Sequence, residues 1–167
     1  MPCISSKNIN TAVDIVTDLI KSPDISTLCE QLIGLGCGYE LSIIFATLMY
    51  SFPGSHESTY SGHAMNYHVD YHGPAFCKIF IPITPLDNLH GTHSFIKTSH
   101  LNKPRNYQAI QEDVSTLFDF YDTSLFVGHE VNPGDLIIEN TNGYHRGTTG
   151  KNPRIILAIT VGLVMGK

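Results

Sequence analysis

Asn132-Pro133-Gly134-Asp135-Leu136-Ile137-Ile138-Glu139-Asn140-Thr141-Asn142-Gly143-Tyr144-His145-Arg146-Gly147 contains no apolar run longer than three residues. Pro, Gly and Asn cut it into pieces too short for a helix, so it predicts two short strands, 135–140 and 143–147, with a turn at Asn132-Pro133-Gly134. After the next turn, Thr149-Gly150-Lys151-Asn152-Pro153, the apolar run Ile155 to Met165 covers about eleven residues. That is too short to cross a hydrocarbon core needing roughly twenty, so it reads as a buried strand over 154–164. The same texture upstream predicts strands near 42–50, 64–71, 75–83, 93–97 and 124–130, with turns at Pro53-Gly54, Gly73-Pro74 and Asp87-Asn88. Eight short strands in 167 residues predict a mainly β protein, a jelly-roll double sheet forming one domain over 1–167 with its core at 40–165.

Two segments depart from this texture. Ile9, Val13, Val16, Leu19 and Ile20 recur at helical spacing, Ser22-Pro23-Asp24 ends one helix and starts another with Ser22 as N-cap, and Ile25, Leu28, Leu32 and Ile33 continue it to Gly34. The N-terminal helices therefore occupy 8–34. Over 104–120, Tyr107, Ile110, Val114, Leu117 and Phe118 predict one inserted helix or lid. A net charge of −5 excludes the basic footprint of a nucleic-acid binder or of a protein docking on an anionic membrane. The opening residues lack the order of a secretory signal, and Cys3, Cys29, Cys37 and Cys77 have no paired spacing, which predicts reduced thiols in the cytoplasm.

Alternation puts His68 and Asp70 of Tyr67-His68-Val69-Asp70-Tyr71 on one face of a strand. About 75 residues later His145 can bring a second imidazole from across the barrel. Two imidazoles and one carboxylate on one side of a metal leave open positions opposite, the arrangement of non-haem Fe(II) oxygenases. Arg154 follows a turn after His145, so a hairpin would place its guanidinium near the metal, where a planar fork suits a carboxylate.

Further blocks follow in order: Lys78-Ile79-Phe80-Ile81-Pro82-Ile83 leading to Asp87-Asn88, Gly91-Thr92-His93-Ser94-Phe95-Ile96-Lys97-Thr98-Ser99-His100, Pro133-Gly134-Asp135-Leu136-Ile137-Ile138, and His145-Arg146-Gly147 with Arg154. With His68-Val69-Asp70, they make the chain from about Leu48 to Val164 resemble the phytanoyl-CoA dioxygenase-like branch of the Fe(II)/2-oxoglutarate-dependent oxygenases. Thr98-Ser99-His100 looks like that family's Pro-Gly-Ser-His turn, with Lys97-Thr98 in place of Pro-Gly. The resemblance implies a double-stranded β-helix in which His68, Asp70 and His145 hold Fe(II) and Arg154 grips the distal carboxylate of the co-substrate 2-oxoglutarate. It implies O2-dependent hydroxylation of a small-molecule substrate. Halogenating relatives carry a small residue where this chain has Asp70, which implies a hydroxylated product here. The chain departs from the family in having only about 40 residues before the barrel and in reading Tyr50-Ser51-Phe52-Pro53-Gly54 where a lysine is common.

Other residues carry weaker expectations. Lys78, on an apolar strand, sits either on an exposed edge or inside beside an anion, as a second co-substrate contact. Thr148 either bonds the co-substrate carboxylate or shapes the turn, and Asn66 shares the parity of His68 and Asp70, with Tyr60 and Met65 nearby as pocket lining. His63 and His72 have zinc-like spacing to His68 only on a helix, which Gly73-Pro74 opposes, and His90-Gly91-Thr92-His93 reads as polar decoration more than as a metal clip. A cupin-like binding module and a zinc-dependent hydrolase or isomerase on the same barrel are the competing functions. Nothing in the sequence fixes an oligomeric state.

Overall fold

A computed structural model describes residues 6–34, 39–53, 66–73, 75–105 and 114–165. Helices α1 (Ser6–Lys21) and α2 (Pro23–Ile33) are followed by strands β1 (Tyr39–Ser51), β2 (Phe76–Pro82) and β3 (His93–Ile96), a short helix α3 (Val114–Phe120), and strands β4 (Phe126–His129), β5 (Ile137–Glu139), β6 (His145–Gly147) and β7 (Arg154–Met165). The strands form a four-stranded sheet, order β1-β7-β2-β5, facing a three-stranded sheet, order β4-β3-β6. Every pairing is antiparallel. This is the expected jelly-roll fold.

Period-two alternation along β2 gives the four-stranded sheet two different faces. Cys77 and Ile79, with Ile159 and Val161 of β7, pack on Ile20 of α1 and Cys29 of α2, so the helices cover one face of this sheet. Each such fully buried aliphatic side chain contributes about 1.5–3 kcal/mol of burial. Lys78 and Phe80, at the intervening positions, line a cavity between the sheets. Pro23 starts α2, but Ser22 does not cap it with its side chain: Ser22 Oγ donates back to Leu19 O at 2.8 Å. Gly34 ends α2 in the left-handed region at φ 74°, its N–H bonded to Glu30 O.

Two expectations need correction. Residues 66–71 form no strand: among the described residues only His68 pairs, with His145, through two 3.0 Å backbone hydrogen bonds, and Asp70 N–H turns to Thr141 O at 2.8 Å. The reason is length: β6 has three residues, so it offers few positions for pairing. His145 and Arg154 also do not flank a hairpin. β6 and β7 belong to different sheets, and the connection 148–153 carries the chain across the sandwich. The inserted helix spans Val114–Phe120, and Tyr107, Ile110, Tyr60, His63 and Met65 lie outside the described residues.

Candidate metal centre

Tyr67 and Val69 pack into a cluster with Ile96, Leu117, Tyr121 and Tyr144. That anchorage leaves His68 and Asp70, at alternate positions, on the side of His145. One ligand atom from each of His68, Asp70 and His145 lies within 4.8 Å of the others. His145 is 3% exposed and is held from several sides. β6 pairs with β3, Tyr144 O accepts from Ile96 N–H at 2.9 Å, and Ser99 Oγ accepts from Tyr144 N–H at 2.7 Å while donating to Ile96 O. Ser99 occupies this position because Thr98 takes a φ of 62°, the left-handed backbone that a glycine adopts freely and that stands here in the Lys97-Thr98-Ser99-His100 turn.

The two imidazoles are oriented alike. His68 Nδ1 bonds to Asn66 O at 2.8 Å and His145 Nδ1 to Gly143 O at 3.1 Å. Carbonyls only accept, so each Nδ1 carries hydrogen, which leaves Nε2 of each ring as the atom turned to the site and able to ligate a metal once unprotonated. His145 Nε2 lies 3.4 Å from Asp70 Oδ2. The donor set therefore fits a divalent metal such as Fe(II). Burial, reinforced by the adjacent His145, pushes His68 down to about 4, so it stays neutral and available. Burial opposes ionisation of Asp70, but the adjacent His145 and the Lys78 ammonium prevail and hold its carboxyl well below the usual range.

Arg154 lies at another wall of this cavity, which Met49, Phe80 and Ile156 complete. It is 2% exposed, donating from Nη1 to Thr92 O at 2.8 Å and from Nη2 to Ser51 Oγ at 3.2 Å. No carboxylate among the described residues pairs with it, and burial lowers it to about 10. The guanidinium reaches this position past Gly147, where a Cβ would stand 2.3 Å from Nη2.

The remaining candidates are distributed as follows. Lys78 faces inward, with Nζ 2.6 Å from Asp70 Oδ2. Thr148 Oγ1 accepts from Thr92 N–H at 2.7 Å, and the Asn66 side chain is exposed while its carbonyl holds His68. His72 stacks edge-on with Phe45 and Phe76. His90 bonds to Asp87 at 2.9 Å, whereas His93 is buried, so the two histidines make no common clip.

Sequence reasoning missed Ser51 and Glu139. Glu139 Oε1 meets His93 Nε2 at 2.9 Å across the sandwich, beside the metal set. Glu139 follows Leu136-Ile137-Ile138, and a lone carboxylate on an apolar strand was the available signal. Burial opposes its ionisation, but the charge of His93 and its hydrogen bond hold its pKa below the ordinary 4.5. As pH falls the unfolded chain therefore takes up protons first, so this group's stabilisation is present above about 4.5 and lost below it. Metal-free protein is expected to lose urea resistance on that acid limb, and Glu139→Gln to flatten the loss. An acid limb unchanged in the variant would contradict the assignment.

A second, larger cavity of about 420 Å³ opens between β4 and β5, lined by Val127, Val131, Leu136 and Ile138 among others, and it includes none of the metal-set residues.

No family model matches the chain, and no curated protein does. Solved structures do. The chain is similar to EctD from S. alaskensis with 2-oxoglutarate and 5-hydroxyectoine, at 19% identity and TM-score 0.62, over 89% of this chain and 52% of that one. It is also similar to SnoK, a non-haem α-ketoglutarate-dependent carbocyclase from nogalamycin biosynthesis, at 15% identity and TM-score 0.56, over 87% of this chain and 62% of that one. The nickel complex of ThoJ, a non-haem monooxygenase, matches at 15% identity and TM-score 0.54, over 87% and 53%. The chain thus spans half to three fifths of these structures and shares their fold.

Proposed function

We propose that the chain is an Fe(II)- and 2-oxoglutarate-dependent dioxygenase of the phytanoyl-CoA dioxygenase-like branch that hydroxylates a small organic substrate. The observation that carries this reading is Arg154: a buried guanidinium with no carboxylate partner among the described residues, in the cavity lined by His68 and His145 of the His68, Asp70 and His145 cluster. A buried cation is costly unless a counter-ion joins it, and a dicarboxylate with one end at a metal would supply one. Among the structural neighbours, EctD holding 2-oxoglutarate and SnoK, a non-haem α-ketoglutarate-dependent carbocyclase, support the same reading.

In this mechanism His68, Asp70 and His145 would hold the iron. Bound iron and co-substrate supply the oxidising chemistry, in which O2 converts 2-oxoglutarate to succinate and CO2 as a substrate C–H bond is hydroxylated. Thr92 O and Ser51 Oγ take two of the five guanidinium donors of Arg154, fixing the plane in which the others meet the distal carboxylate. Thr148 supports that contact by fixing the Thr92 peptide, and Asn66 supports His68 through its carbonyl. Met49, Phe80 and Ile156 give the cavity an apolar wall. A binding module or a zinc hydrolase would use the three ligands and leave Arg154 without a role. Cys29 and Cys77, both buried and free, suit a reducing, cytoplasmic setting.

Anaerobic calorimetry tests the reading: 2-oxoglutarate should bind strongly only after Fe(II), and co-substrate binding that ignores the metal would refute it. The identity of the product is a separate expectation. Because the Asp70 carboxylate is turned toward the two imidazoles, turnover in excess chloride should add one oxygen by mass spectrometry, and a chlorinated product would show that Asp70 is not a ligand.

A further inference from the structure

Lys78 and Glu139 are directly paired across the β2–β5 ladder. Paired residues project from the same face with Cβ atoms about 4.5–5.5 Å apart, so a lysine and a glutamate placed this way have each other within reach. Here each makes its ion pair across the sandwich instead. Lys78 Nζ lies 2.6 Å from Asp70 Oδ2, and Glu139 Oε1 takes His93 Nε2 at 2.9 Å. This leaves Glu139 Oε2 buried with no hydrogen-bond donor among the described residues. An acceptor of that kind is costly to leave unpaired. Thr160, the partner of Lys78 on the β7 side, offers only a hydroxyl.

We infer that Lys78 is a counter-ion that changes partners when the triad is loaded: metal-free it holds Asp70, and a divalent cation taking Asp70 sends its ammonium across the ladder to Glu139 Oε2. The inference rests on the proposed use of His68, Asp70 and His145 as metal ligands. A dication and an ammonium cannot share one carboxylate oxygen in a poorly hydrated cavity, because their repulsion is little screened there. The four-carbon stem of lysine moves its charge without moving the strand. Glu139 stays in place because His93 holds its other oxygen from the opposing sheet. The exchange would keep Lys78 paired in both states and make Glu139 a positioning residue for metal loading.

Calorimetric titration of the full chain with Mn(II), which tolerates air, provides the test. Lys78→Met should tighten Mn(II) binding by about tenfold, because a competitor for Asp70 is gone, and Glu139→Gln should weaken it by about tenfold, the low end of the range for residues behind metal ligands. In the Lys78→Met background Glu139→Gln should have little further effect, since no ammonium then needs a landing site. Equal weakening by Glu139→Gln in both backgrounds, the result of simple charge addition, would overturn the exchange. So would unchanged affinity in Lys78→Met when the wild type binds. Absence of Mn(II) binding by the wild type and Lys78→Met alike would instead overturn the metal reading beneath it. Should Glu139→Gln fail to fold, a crystal structure of the Mn(II)-loaded wild type decides: Lys78 Nζ within hydrogen-bond distance of Glu139 supports the exchange, and Nζ still on Asp70 refutes it.

Discussion

His145→Ala is expected to lower Fe(II) affinity by more than about 100-fold, since even residues standing behind metal ligands are worth about 10–100-fold. His145 is the most constrained of the three candidate ligands. It is 3% exposed, its Nδ1 is fixed by Gly143 O, and its backbone pairs with both β3 and His68. His68→Ala should weaken binding as well, though less, because His68 is half-buried and paired at only one position. Anaerobic Fe(II) titration followed by a thermal scan separates the effects: lost affinity in a protein that still unfolds cooperatively is the expected result. Stoichiometric iron at unchanged affinity in His145→Ala would remove His145 from the site.

The convergence of His68, Asp70 and His145 was legible because it needs only local alternation and one long-range guess. Tyr67 and Val69 are apolar and seek the cluster around Leu117, so their neighbours must face the other way. The jelly-roll was legible for a related reason, since turn residues every few positions leave no room for other elements. Arg154 was reached by a route that the fold does not use. The hairpin assumed from its spacing is a crossing between sheets, and the side chain gains its place through Gly147 and through Thr92 and Ser51, which lie 62 and 103 residues away in sequence. Pairings of that kind leave no periodic signal. The same holds for Glu139, whose partner His93 is 46 residues away and whose meaning depends on which sheet each strand joins. Over 66–71, the described part of the strand expected at 64–71, the expectation failed because propensity describes a segment's preference and is silent about the length of its partner. Three residues in β6 support one bridge among the described residues of that segment.

Arg154→Ala is expected to weaken 2-oxoglutarate binding by at least about tenfold while leaving Fe(II) affinity within a few-fold of wild type, because charge-assisted hydrogen bonds are worth roughly 1.5–3 kcal/mol each. Arg154→Lys should recover only part of the loss, since a point charge cannot reproduce a planar fork already seated on Thr92 O and Ser51 Oγ. Arg154→Ala alone leaves an ambiguity, because deleting a buried side chain also opens a hole between β7 and the opposing sheet. Gly147→Ala resolves it. The added methyl would stand 2.3 Å from Nη2 and 2.8 Å from Nη1, so the guanidinium must move although its charge and hydrogen-bond donors remain. If Arg154 acts by holding a carboxylate at one position, Gly147→Ala should reproduce most of the co-substrate defect with the metal still bound. If Arg154 only fills space, Gly147→Ala should lower thermal stability and leave 2-oxoglutarate affinity intact. That outcome would move the carboxylate clamp elsewhere in the cavity, to Lys78, the other cation on its wall.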